Sequence, residues 1–110
     1  MALLRVEDLP DVTVAILTAT RLDESNAEAV GQELSALAGQ VGSRGLQLDL
    51  REVDFLTSTG LGKLIGLDKR VRAAGGRLIL RNVPPFAAEV FHVTRLDTLF
   101  EFRRTRSLSR

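Results

Sequence analysis

The sequence predicts an α/β fold: a single domain with a mixed, largely parallel β-sheet and helices packed mainly on one of its faces. Two observations predict it. Short strand-like segments alternate with longer segments whose apolar residues recur at helical spacing, and that alternation implies parallel strands joined by right-handed crossovers. The helical segments are amphipathic, so each has one side to bury against a sheet. At 110 residues, 45% hydrophobic and 26% charged, the chain holds apolar material for one core but not for two.

Residues 12–17, VTVAIL, are β-branched and follow Pro10 and Asp11, which marks a strand. Residues 22–26, LDESN, carry helix-start chemistry, with Ser25 and Glu28 spaced for a capping box. From there Ala27, Val30, Leu34, Leu37 and Val41 form a helical stripe, which the GSRG of residues 42–45 ends. Residues 46–50, LQLDL, alternate as a half-buried strand should. A second stripe, Leu61, Leu64, Ile65, Leu67 and Val71, leaves Lys63, Lys69, Arg70 and Arg72 mostly outside it. The AAGG of residues 73–76 stops this helix, and residues 77–80, RLIL, form a third interior strand. Pro84 and Pro85 introduce a short helix with Ala87, Val90 and Phe91 inward. Residues 98–102 read as a closing strand, and the basic, serine-bearing residues 103–110 as a tail expected to fray. There is no internal repeat and no linker.

The bulk numbers exclude several functions. A formal net charge of +1 gives no strong pull toward nucleic acid or an anionic membrane. Zero cysteines exclude disulfides and thiolate metal sites and suit a reducing compartment. Arg5, Glu7 and Asp8 interrupt the amino-terminal apolar run too early for a signal sequence, and no apolar run nears the roughly 20 residues that span a bilayer. A cytoplasmic location is expected. The single histidine, His92, lies on an apolar helix and reads as a core-edge residue, so neither a catalytic serine nor a transition metal has its usual partners. No catalytic residue, metal ligand or cofactor is assigned.

The most informative stretch is FLTSTGLGKL, residues 55–64, at a strand-to-helix junction of the kind where α/β sheets place their sites. Capping a helix takes one hydroxyl, yet Thr57, Ser58 and Thr59 stand in a row. The start of the first helix carries Glu24 and Glu28, which offset its positive end. The first turn of the second has only Gly60, Leu61, Gly62 and Lys63, leaving that end open to an anion. Nucleotide motifs fit worse. Gly62-Lys63 is followed by Leu64 where a P-loop needs Ser or Thr, and the Gly60–Gly66 spacing is one residue too long for a dinucleotide fingerprint.

Leu22-Asp23, Leu48-Asp49-Leu50, Val53-Asp54-Phe55-Leu56, Ser58-Thr59-Gly60-Leu61-Gly62 and Ala74-Gly75-Gly76 together resemble the STAS family, in its anti-sigma factor antagonist branch. The resemblance runs from about Leu3 to Phe102, giving a STAS-like domain over residues 1–102. It implies a protein that binds an anti-sigma factor serine/threonine kinase when unphosphorylated and is released once phosphorylated. The acceptor position falls on Thr59, with Ser58 as the neighbouring candidate, and Thr57 stands where the family usually has aspartate. The implied docking surface comprises Asp23, Glu24, Ser25, Asn26, Thr57, Gly60, Leu61 and Gly62. The partners implied are the kinase and a phosphatase, with no direct nucleic acid and no membrane. Two other readings use the same residues: a pocket for nucleotide or another phosphorylated ligand, and a scaffold subunit of a signalling assembly in which the hydroxyl run is only a cap.

Overall fold

The computed structural model of the chain describes residues 3–103. Five strands form the main sheet: Leu4–Asp8 (β1), Thr13–Leu17 (β2), Leu46–Asp49 (β4), Leu78–Arg81 (β6) and Glu101–Arg103 (β7), lying side by side in that order. β1 runs antiparallel to β2, and the remaining pairs are parallel. Arg21–Leu22 (β3) and Phe55–Leu56 (β5) form a separate two-stranded parallel ribbon. The helices are Ala27–Val41 (α1), Ser58–Ala73 (α2) and Pro85–Val93 (α3).

One face of the sheet supplies the core. Ala15, Leu17, Leu46, Leu48, Leu78 and Leu80 alternate along β2, β4 and β6 and pack with Val30 and Leu34 of α1, Leu64 and Val71 of α2, and Ala87 and Phe91 of α3. The expected α1 stripe is buried at all five positions. Phe91, Phe100 and Phe102 close the β7 end as a ring cluster with centroids 5.5–6.5 Å apart, a spacing that favours tilted aromatic pairs.

The structure corrects several sequence expectations. β1 was read only as a leading apolar run. It is an edge strand in which Leu4 and Val6 alternate with the charged Arg5 and Glu7, and it lies mostly exposed, as charged edge strands do. Residues 46–50 are wholly buried rather than half-buried. β4 is the central strand, and the open-face residues Gln47 and Asp49 are bonded by the side chains of Arg81, Arg51 and Asn82. The closing strand begins at Glu101, because Leu96–Thr98 coil into a 3₁₀ turn. Arg103, placed in the tail by sequence, belongs to β7, and residues 104–110 lie outside the described residues.

Candidate functional site

The ribbon of β3 and β5 builds the site. Arg21 pairs with Phe55 and Leu22 with Leu56, so the loop of residues 23–26 and the capped first turn of α2, residues 57–60, leave the ribbon side by side. The amide of Thr57 completes the join by donating to the Leu22 carbonyl at 3.1 Å. Two-residue strands carry no periodicity, so nothing in the sequence signalled this ribbon. Beside it the Arg21 guanidinium sits 4.2 Å from the centre of the Phe55 ring, a cation–π contact. Phe55 remains 41% exposed.

The three hydroxyls divide their roles. Thr57 is the N-cap of α2, with extended backbone, and its Oγ1 accepts from the Gly60 amide at 3.4 Å. Ser58 and Thr59 follow inside the first turn and are exposed. Gly60 and Leu61 turn inward: a Cβ on Gly60 would lie 2.6 Å from the Leu22 carbonyl oxygen, and Leu61 is in the core. Gly62 is exposed, with open space where a Cβ would stand.

The first loop folds around a carboxylate. Asp23 is 7% exposed. Its Oδ1 accepts from the Ser25 hydroxyl at 2.6 Å and the Ser25 amide at 3.0 Å, and its Oδ2 accepts from Arg21 Nε at 3.0 Å. These bonds, led by the Ser25 hydroxyl, hold its carboxyl below the usual value. The Ser25–Glu28 capping box does not form. Ser25 is spent on Asp23, the N-cap of α1 is Asn26, and Glu28 reaches Lys63 at 2.9 Å. Asn26 itself makes no side-chain cap. Its Oδ1 accepts from the Asp23 amide and its Nδ2 donates to the Arg21 carbonyl, which locks the loop.

Glu24, expected both at the start of α1 and on the docking surface, lies outside the helix, which begins at Ala27. Its carboxyl is held below the usual value first by its own backbone amide and then by the hydroxyls of Thr59 and Thr57. The first turn of α2 has no acid of its own, as expected. The Glu24 carboxyl on the neighbouring loop lies near the hydroxyls of that turn, as its lowered value reflects. His92 also departs from expectation. It is exposed at the end of α3, with Nδ1 3.0 Å from Asp97 Oδ2, while Ala87 and Phe91 fill the core.

Among the described residues no cluster of His, Cys, Asp or Glu could hold a metal ion, and no helix is long and apolar enough to cross a membrane. A cleft of about 570 Å³ lies between α1 and α2, where Gly31, Gly62 and Gly66 meet Glu28, Lys63 and Arg70.

Comparison with known proteins places these features in context. The family described as Mlab, STAS domain, matches residues 6–101. The anti-sigma-B factor antagonist of Bacillus subtilis is 32% identical over 91 residues, spanning 83% of this chain and 80% of that one. An anti-sigma-factor antagonist (STAS) domain protein from Planctomyces limnophilus superposes with a TM-score of 0.84 at 29% identity, covering 96% of this chain and 92% of that one. An anti-sigma factor antagonist from Mycobacterium paratuberculosis gives 0.80 at 27% identity, over 93% and 85% of the two chains.

Proposed function

The chain belongs to the STAS domain family, and from that premise we propose that it is a cytoplasmic anti-sigma factor antagonist. It docks an anti-sigma factor kinase through residues 22–26 and the start of α2, and lets go when Thr59 is phosphorylated. One observation carries this reading. Thr57 alone caps α2, so the exposed hydroxyls of Ser58 and Thr59 are surplus to folding and free for modification. Thr59 is the acceptor we favour, as the family pattern implies, and its hydroxyl is among the groups that hold the Glu24 carboxyl low.

The same contact explains release. A phosphate brings about −1.5 to −2 charges, against a formal charge of +1 on the whole chain. On Thr59 it would stand beside the Glu24 carboxylate in place of a hydrogen bond. Like-charge repulsion then pushes apart the two loops that form the docking face. A phosphatase resets the switch.

A second reading, the scaffold, gains from Thr57, whose cap on α2 is all that a purely structural role for the hydroxyl run would need. The Glu24 carboxyl near those hydroxyls disfavours a second anion and so weakens the nucleotide reading.

Titrating candidate anti-sigma factor kinases with the wild type, Thr59→Ala and Thr59→Glu separates the readings. The switch requires that Thr59→Ala bind like wild type, that Thr59→Glu lose at least tenfold in affinity, equal to about 1.4 kcal/mol, and that mass spectrometry map the phosphate to Thr59. Equal binding by Thr59→Glu would leave the scaffold standing.

A further inference from the structure

Among the described residues β1 ends the five-stranded sheet and pairs with β2 on one side only. The Thr18 amide donates to the Leu3 carbonyl at 3.0 Å and the Leu9 amide to the Val12 carbonyl at 2.9 Å. In an antiparallel ladder the hydrogen-bonded residues alternate, so Leu3, Arg5, Glu7 and Leu9 turn their backbone groups toward β2. Leu4, Val6 and Asp8 therefore turn theirs toward the free edge. Such a row is a template for another strand unless proline, a bulge or a covering segment blocks it. Residues 4–8 contain no proline, and their register with β2 is continuous, without a bulge. Val6 is 46% exposed.

We infer that this edge is a self-association surface, on which β1 of a second copy of the chain adds antiparallel about a two-fold axis at Val6. In that register Leu4 faces the second copy's Asp8, Val6 faces Val6, and Arg5 faces Glu7 in both directions. Two independent requirements meet there. The outward backbone groups of Leu4, Val6 and Asp8 fall opposite one another as hydrogen-bonded pairs. Arg5 and Glu7 share the opposite face of the strand and fall at the non-hydrogen-bonded positions, where side chains approach most closely and opposite charges stabilise.

Neighbouring registers fail. An axis at Leu4 sets Arg5 against Leu3, and one at Asp8 sets Glu7 against Leu9 and Val6 against Pro10. An axis at Arg5 or Glu7 sets like charges together and turns the wrong backbone groups outward. The pairing makes a closed, self-complementary two-fold interface and covers Val6 beside a cleft of about 160 Å³ that it lines with Leu37 and Val41. Within one chain Arg51 also attracts Glu7. None of this depends on what docks near Thr59.

Charge exchange tests the register. The Arg5→Glu chain presents two acids to itself and the Glu7→Arg chain two bases, whereas an equimolar mixture restores opposite pairs. Sedimentation velocity over a dilution series should show the wild type as a concentration-dependent dimer. Each variant alone should dissociate at roughly tenfold lower affinity, and the mixture should recover the dimer. Val6→Pro, which removes only an outward amide and so keeps the ladder to β2, should be monomeric with an unchanged far-ultraviolet circular dichroism spectrum. The inference is overturned if the wild type stays monomeric throughout, if either charge variant dimerises like wild type, or if the mixture does not recover.

Discussion

Gly60 and Gly62 stand two residues apart in the first turn of α2 and do opposite things. At Gly60 any Cβ would meet the Leu22 carbonyl oxygen at 2.6 Å and Leu22 Cγ at 2.7 Å. That carbonyl is held by the Thr57 amide and cannot swing away. Gly60→Ala should therefore cost about 1–3 kcal/mol through a forced shift of helix against ribbon. At Gly62 nothing lies within 4 Å, so Gly62→Ala should stabilise the fold by up to about 1 kcal/mol, the helix-propensity difference. Urea denaturation of the two variants checks both signs. The residue pattern made both glycines noticeable, but it could not tell close packing from open surface. Glu24 shows the same limit. Its position invited a role in α1, three residues ahead, whereas its partners are Thr59 and Thr57, more than thirty residues away.

At the scale of elements, Asp49 binds three of them. It ends β4 with no exposed surface, and burial by itself would raise its carboxyl. Arg51 outweighs that through Nη2 at 2.6 Å, Nε at 3.1 Å and its amide at 2.9 Å, with Asn82 adding a bond of 2.7 Å, so the net displacement is downward. Arg81 Nε, buried without a hydrogen-bond partner, faces the same carboxylate at 3.7 Å. The group therefore ties β4 to the turn after it and to the residues after β6. Removing the carboxylate leaves the buried Arg81 Nε without its anion and the Asn82 amide without its acceptor, so Asp49→Ala should destabilise by about 1–3 kcal/mol, read by chemical denaturation. Alternation in LQLDL announced the strand. It did not announce that the polar half of the alternation is interior, because that depends also on Arg81 and Asn82, brought from more than thirty residues away.

For the molecule as a whole, pH dependence sums these local arrangements. Asp8, Asp23, Glu24 and Asp49 are all held below their ordinary values. A lowered folded pKa means that the stability they add is complete above their unfolded values, near 4, and is lost as pH falls through the folded ones. His92 runs the other way. Its hydrogen bond to Asp97 raises it, so its contribution is complete below about 6.5 and fades as pH climbs past its folded value. A melting-temperature profile should thus fall steeply below about pH 4 and decline slightly above about pH 7, the second slope disappearing in Asp97→Asn. The sequence by itself determined the α/β class, the two long helices with their buried stripes, the stopping glycines and the hydroxyl-rich junction, since each is written in local periodicity or turn chemistry. Tertiary structure alone decided the pairing of β3 with β5, the nearness of the Glu24 loop to the start of α2, and the Arg81 and Asn82 contacts that help bury the polar side of β4. Each of these joins residues distant in the chain, and short-range pattern carries no record of which side chain will arrive.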